Sequence, residues 1–474
     1  MMTRKDLNSI RSDLSKHKQE HVLKYWDSLS PKEQQELLSD IGKVDFDQLE
    51  TLKSLAFTEK QVKKQNITPD EIIEPEKLSE DDRATYKKAG RETLRKGKVA
   101  FFVVSGGQGS RLGYDRAKGI FPISPIQEKS LFQIHSEKIA AINAYYKYDM
   151  PFIIMTSIVN HNETVDFFKE HDFFGLKEDS VFFITQGVLP AIDNSGKLIL
   201  AQKHHIFFSP DGHGGCLKAM NVNNIPDILG KRNVEYISYF QVDNPLVHIA
   251  DPLFIGLTIS KQADMASKLL KKRDPEEKIG SICRINGRTG IIEYSDLAKE
   301  YKFAKDESGE YIYAFGSIAI HLLSLSFIRQ FYNKPLPFHV AKKKIMHVAE
   351  TGETITPDSP NGIKFEQFVF DALQYADSTL NMATAREKDF SPLKNKEGED
   401  SIDTCTRGQA ALFASWLTHS GYNVPVDKNG DPSIKIEIEP GFAFDEDTFK
   451  ERINGKSLSL DTDLLIKKDS REAI

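Results

Sequence analysis

Six consecutive apolar residues, Val99 to Val104, run straight into Ser105, Gly106 and Gly107. A run this short, unbroken by polar residues and rich in β-branched and aromatic side chains, has no face to offer solvent. It reads as a strand buried on both sides, as in the interior of a parallel sheet. Similar runs recur at 152–155, 181–184 and 236–242. Between them lie longer mixed stretches such as 131–146, where Ile134, Ile139 and Ile142 fall on one helical face. Strand and helix in alternation predict an α/β core, a mixed but mostly parallel sheet flanked by helices.

The flanks read differently. Ser30, Pro31 and Glu33 make a capping-box start, because the serine oxygen and the glutamate carboxylate satisfy amide donors of a first helical turn. Leu37, Leu38 and Ile41 then share one face. Near the other end, Ile434, Ile436 and Ile438 alternate with Lys435, Glu437 and Glu439 after a Pro, Gly and Asp-rich stretch, which predicts a half-buried strand. The expected division is a helical N-terminal region (1–95), the α/β core (96–394) and a small β-containing C-terminal domain (395–474). A chain of 474 residues, at roughly 150 per domain, accommodates all three.

Charge and composition exclude several classes of function. Lys and Arg number 63 against 69 Asp and Glu, a formal net charge of −6, so no basic face meets nucleic-acid phosphates. A hydrophobic fraction of 39% with 10% aromatics lies far from the signature of disorder. Cys216, Cys283 and Cys405 are widely spaced and form no CxxC pair, as expected of three free thiols in a reducing compartment. The N-terminus shows no apolar leader, and no stretch approaches ~18 apolar residues, so a cytoplasmic protein without a membrane partner is expected.

The glycine-rich segment after Val104 carries the chemistry. Glycines directly after a strand let main-chain amides approach a phosphate closely. The dinucleotide fingerprint GxGxxG fails, because Leu112 stands where the third glycine belongs, and no acidic residue follows the second strand to hold a ribose. No window fits the Walker pattern GxxxxGK[ST] either. What remains is GGxGxRLG followed by Lys118, two cations (Arg111 and Lys118) beside a cradle of amides, which suits a triphosphate.

The segment GGQGSRLGYDRAKG (106–119) resembles the signature of the UDP-sugar pyrophosphorylase family, nearest its N-acetylglucosamine branch. Further blocks resemble the family in the same order: HVLKYWDSL (21–29), QGVLPA (186–191), PDGHGG (210–215), VDN (242–244), ADP (250–252), NGIK (361–364), FVFD (368–371) and SPLKN (391–395). The resemblance spans about residue 20 to about residue 450, and implies a nucleotidyltransferase core in which UTP and a hexose 1-phosphate give a UDP-sugar and pyrophosphate. The nucleophile of that reaction is a phosphate oxygen already ionised at neutral pH. The site therefore needs amides, cations and a metal rather than a general base.

By that resemblance the amides of Gly106, Gly107, Gln108, Gly109 and Ser110 cradle the UTP phosphates, and Arg111, Lys118 and Lys394 are the catalytic cations. Asp243, just past the strand that opens at Tyr236, is the expected Mg²⁺ ligand, since a carboxylate there can bridge to phosphates. Gln186 and Gly212 read the uracil edge, and Lys364 holds phosphate. Gly280, Glu293, His213 and Ala314 fall at the sugar positions. A carboxylate at Glu293 accepts from two sugar hydroxyls. His213 and Ala314 stand where the N-acetylglucosamine branch has asparagines, and the GHG of the first is shared with UDP-glucose pyrophosphorylases. The run Lys342 to Lys344 reads as a solvated face.

Overall fold

The computed structural model describes residues 4–58, 66–332, 334 and 336–469. The chain divides into two compact units: Met1–Lys64, Gln186–Gly215 and Pro335–Asp371 form one, and Gln65–Thr185, Cys216–Lys334 and Ala372–Ile474 the other. These units are assembled from interleaved segments, so they do not coincide with a linear division at 95 and 394.

The second unit is built on a ten-stranded sheet. Tyr236–Gln241, Val99–Val104, Phe152–Thr156 and Val181–Thr185 pair in parallel, in that spatial order. These are the apolar runs of the sequence. All of Val99–Val104 and Phe152–Thr156 is buried, as a central strand with helices on both faces requires. Phe315–Ser324 then lies antiparallel to Tyr236–Gln241 and to Met265–Lys271, and Met265–Lys271 pairs in parallel with Thr379–Thr384. The hairpin Ser281–Ile285 and Arg288–Ile292 extends the same sheet. Register along Phe315–Ser324 jumps from Lys268↔Ile320 to Leu269↔Ser317, with Ala319 at φ 56°. Such a bulge bends a strand and re-aims its side chains. Here it sets the course of the strand end that carries Ala314.

Two helices of this unit, Glu80–Arg95 and Pro252–Ser260, touch backbone to backbone. A Cβ on Gly90 would lie 1.9 Å from the Pro252 carbonyl oxygen, and one on Gly256 would lie 1.8 Å from that of Tyr86. The expected helix at 131–146 is Leu131–Tyr146, capped by Ser130, whose hydroxyl accepts from the Gln133 N–H. Toward the C-terminus, Ile402–His419 and Glu446–Ile453 pack with Ile436–Ile438 and Leu464–Ile466 around Trp416 and Phe449. The strand expected from Ile434 to Ile438 is shorter and not half-buried. Only Ile436–Ile438 is strand, and Glu437 is buried because its carboxylate accepts the N–H groups of Ile126 and Gln127 at 2.7 and 2.9 Å.

The first unit holds the helices Pro31–Gly42, with the Ser30–Glu33 capping box in place, and Phe46–Phe57. Leu37, Ile41, Leu49 and Leu52 pack on Ile363 and Phe365 of a small sheet made of His339–Lys343, Gly362–Glu366 and Ile192–Asp193. Lys342, Lys343 and Lys344 are exposed, as a solvated face requires. All three cysteines are buried free thiols, and no described helix is long and apolar enough to cross a membrane.

Candidate active site

Parallel strands deliver their carboxyl ends to one edge of a sheet, where α/β folds bind ligands. The glycine-rich loop leaves Val104 there, and Asp243 follows the neighbouring strand, whose Gln241 is in register with Val104. The loop folds back on itself. Gly109 N–H donates to the Arg116 carbonyl and Lys118 N–H to that of Gly107. The Gly109 N–H is therefore bonded inside the loop. The N–H groups of Gly106, Gly107, Gln108 and Ser110 have no partner among the described residues.

The returning arm brings Lys118 Nζ to 3.2 Å from Asp243 Oδ2, both side chains mostly buried. Arg111 is exposed and makes no ion pair with any described residue. The Asp243 carbonyl accepts from Leu393 N–H at 2.8 Å, which zips the segment bearing Lys394 alongside Asp243. Lys394 Nζ lies 3.4 Å from Asp400. Lys118, Asp243 and Lys394 are thus gathered at the edge where the loop amides open. One carboxylate beside a phosphate-sized cradle fits Mg²⁺ of the type that takes few protein ligands and fills its shell with phosphate oxygens and water.

Gly280, Glu293 and Ala314 sit together at another point of the same edge. Ser281 pairs with Ile292 and with Gly316, so the residues just beyond those positions meet at one end of three neighbouring strands. A Cβ on Gly280 would lie 2.6 Å from Ile291 and 3.4 Å from the Glu293 carboxylate. Lys272 joins them: its N–H donates to the Ala314 carbonyl and its Nζ to Ser281 Oγ. Burial, then the nearby Lys302, lower its pKa, partly offset by carboxylates that include Glu293.

In the first unit, Gln186 and Gly212 are neighbours. Asp211 N–H donates to the Gly187 carbonyl, and a Cβ on Gly187 would meet Asp211 Oδ2 at 2.4 Å. Gly212 adopts φ 86°, with Gln367 so close that a Cβ would lie 2.5 Å from its oxygen. Only glycine fits both demands. His213 stacks on Phe368 and accepts the Val369 N–H at Nδ1, so its neutral ring carries the proton on Nε2. Burial, then neighbouring His339, lower its pKa to about 4, and it stays neutral at physiological pH. Lys364 lies over the Phe207 ring, its pKa lowered chiefly by burial.

Residues 47–414 match the family described as UTP–glucose-1-phosphate uridylyltransferase. The chain belongs to that family. It is 34% identical over 429 residues to the UDP-N-acetylglucosamine pyrophosphorylase of Saccharomyces cerevisiae, covering 85% of this chain and 89% of that one. To UDP-N-acetylhexosamine pyrophosphorylase-like protein 1 of Mus musculus it is 30% identical over 482 residues, 95% of each chain. Among solved structures, the uridine diphosphate N-acetylglucosamine pyrophosphorylase of Trypanosoma brucei, in complex with an inhibitor, aligns at TM-score 0.80 and 25% identity over 99% of both chains.

In this uridylyltransferase-family chain, several residues that sequence reasoning passed over hold the site in shape. Asn160 is fully buried: Nδ2 donates to the carbonyls of Ser105 (2.9 Å) and Gly107 (3.3 Å), while Oδ1 accepts from Ser157 N–H and Oγ–H. Glu163, one turn on in the helix His161–Glu170, accepts from Ala117 N–H at 2.9 Å and from Arg116 at 2.7 Å. One helix start therefore grips both arms of the loop. Asn and Glu three apart at a helix start would ordinarily be read as a capping pair. Here Asn160 caps nothing, and both side chains turn to the loop instead.

On the other side, Asn244 donates to the Asp389 carbonyl and accepts from Ser391 N–H. The Asp389 carboxylate accepts from His248 N–H, Thr384 and Lys268. Lys268 is buried, with Nζ 2.8 Å from Asp251 and 2.7 Å from Asp389. Burial pushes the Lys268 pKa down, but the two carboxylates outweigh it and raise the value overall. This charged knot joins residues shortly after Asp243 to Lys268 and Asp389, and fixes the segment that presents Lys394.

Proposed function

We propose that the protein is a uridylyltransferase that moves UMP from UTP to a hexose 1-phosphate and releases pyrophosphate, with N-acetylglucosamine 1-phosphate as its preferred acceptor. The observation that carries this is the pairing of Lys118 with Asp243 at 3.2 Å beside four loop amides with no partner among the described residues, at the carboxyl edge of the sheet. Family membership and the names of its relatives along nearly the whole chain agree with it. A cytoplasmic location, among buried free thiols, belongs to the same reading.

In the reaction, a phosphate oxygen of the sugar 1-phosphate bonds to the α-phosphorus of UTP. The bond from that phosphorus to the β-bridging oxygen breaks, and pyrophosphate leaves with the electron pair. No proton has to be removed to start it. The amides of Gly106, Gly107, Gln108 and Ser110, with Arg111 and Lys118, hold the UTP phosphates in line, and Lys118 and Lys394 neutralise charge that develops on pyrophosphate. Asp243 would hold a Mg²⁺ ion, which supplies charge neutralisation on the phosphate oxygens when bound. Gln186 and Gly212 are assigned to the uracil edge and Lys364 to phosphate. Gly280 and Glu293 hold the sugar hydroxyls, beside Ala314, and His213 is assigned a sugar contact through its neutral ring.

His213 and Ala314 favour a second reading, in which glucose 1-phosphate is the acceptor, because neither offers the amide of the asparagine found in the N-acetylglucosamine branch. Replacing Lys118 by methionine tests the reaction itself. The variant is expected to fold and to lose about 10²–10³ in kcat for pyrophosphate release, the scale of removing one charge-stabilising donor. Turnover near that of the unmodified protein would overturn the assignment.

A further inference from the structure

The first unit carries a second constellation, separate from every residue assigned to uridylyl transfer. We propose that Glu36, His204 and His205 form a binding site for a transition-metal dication, with Zn²⁺ as its ordinary occupant. Glu36 and Asp40 lie one turn apart on the helix Pro31–Gly42. His204 lies in the turn of the hairpin of Leu200–Gln202 and His205–Ile206, and His205 opens its second strand. The ligand atoms of Glu36, His204 and His205 all fall within 4.8 Å of one another, and all three side chains are half-buried.

The distances are those of ligands around an ion rather than of hydrogen bonds. His204 Nε2 lies 3.6 Å and His205 Nε2 3.9 Å from the same oxygen, Oε2 of Glu36. Both are too long for N–H···O bonds. The first is near the edge of a tetrahedron, about 3.3–3.4 Å when metal–ligand bonds are about 2.0–2.1 Å, and the second exceeds that edge by about half an ångström. The two rings stand 4.4 Å apart and 51° inclined, converging on the carboxylate without stacking.

The surroundings of His205 make the point independently. Its other nitrogen, Nδ1, is 3.0 Å from Asp40 Oδ2. Asp40 is buried and anchored in turn, accepting from Ile206 N–H at 3.2 Å and from Lys43 Nζ at 2.8 Å. A carboxylate that takes the proton of one ring nitrogen fixes the tautomer and turns the other nitrogen, as a lone pair, toward a metal. His204 has a looser counterpart, with Nδ1 3.6 Å from Glu33. Two imidazoles and one carboxylate make a nitrogen-rich set that Mg²⁺ and Ca²⁺ avoid and Zn²⁺, Co²⁺, Ni²⁺ or Cu²⁺ accept. Three protein ligands leave a fourth position for water. The bound ion would staple the hairpin to the helix.

The test uses untagged full-length protein, freed of metal with a chelator, and Zn²⁺ or Co²⁺ alone as the probe. Equilibrium dialysis is expected to show one more equivalent of Zn²⁺ on the unmodified chain than on the double variant His204→Ala with His205→Ala. Co²⁺ is expected to give the visible absorption of a low-coordinate nitrogen and oxygen site, lost in the double variant. Asp40→Asn is expected to weaken binding about 10–100-fold while keeping the stoichiometry. His204→Gln, a turn substitution that spares the buried Asp40, keeps the test valid should Asp40→Asn fail to fold, and it too is expected to abolish the Co²⁺ absorption. Equal zinc content and affinity in the unmodified chain and the double variant, or an unchanged Co²⁺ spectrum in His204→Gln, would overturn the site.

Discussion

Replacing Asn160 by alanine separates the shape of the phosphate loop from its chemistry, because Asn160 faces the loop backbone and contributes no charge. The substitution removes four hydrogen bonds: two donated to Ser105 and Gly107, and two accepted from Ser157. At about 1 kcal/mol net for each neutral bond, the four lost bonds sum to about 4 kcal/mol. Gly107 is exposed and water can serve its carbonyl, so about 2–3 kcal/mol is expected. Without Asn160 the first arm of the loop is no longer held against the helix start, and a displacement of about 1 Å costs on the order of 10²-fold in rate. Pyrophosphate release at saturating UTP, measured well below the melting transition, should fall about 100-fold. Ser157→Ala removes only the bond from its hydroxyl, leaves both loop carbonyls held, and should stay within about twofold. An Asn160→Ala enzyme within about threefold of the unmodified kcat would overturn this expectation, since the loop would then hold its geometry unaided.

Other perturbations probe the packing around the site. Lys268→Met leaves Asp251 and Asp389 buried without their cation and should destabilise the protein by about 3–5 kcal/mol, read as a lowered denaturant midpoint. Acid should act through histidines as well as carboxylates. Burial, with Lys138 nearby, holds the His135 pKa at about 3 against an ordinary 6.5, so only the unfolded chain takes up its proton between those values. Its contribution to stability is complete above pH 6.5 and falls by about 1.4 kcal/mol per unit as pH drops toward 3, and His135→Gln should flatten the stability profile from pH 6.5 to 5 by that slope. Gly256→Leu must drive a side chain into the Tyr86 carbonyl, and is expected to cost at least about 1–3 kcal/mol or to leave no soluble protein on expression.

The strands that lie wholly inside the sheet were legible because burial on both faces removes every polar residue from them. Val99–Val104 and Phe152–Thr156 fall where the apolar runs are, and Leu131–Tyr146 has the expected bounds. Phe315–Ser324 was not legible as the antiparallel member, since strand direction is set by partners distant in sequence, and its bulge at Ala319 leaves no local mark. Glu437 misled for a similar reason: a charged residue in an alternating run signals solvent, whereas here two backbone N–H groups replace the water. The loop glycines, Lys118 and Asp243 could be read as a motif. That Gly109 N–H is consumed by Arg116, and that Asn160 and Glu163 hold the loop, depends on the fold returning one helix start to the loop. The mixture of charges that gives a net −6 likewise concealed the gathering of Lys118, Lys394 and the loop amides at one edge.

Uridylyl transfer is tested at its root by pyrophosphate release from UTP and Mg²⁺ with N-acetylglucosamine 1-phosphate and glucose 1-phosphate in parallel. Turnover with UTP is expected, with a higher kcat/KM for N-acetylglucosamine 1-phosphate. No pyrophosphate from either sugar would contradict uridylyl transfer, and a higher kcat/KM for glucose 1-phosphate would contradict the assigned acceptor.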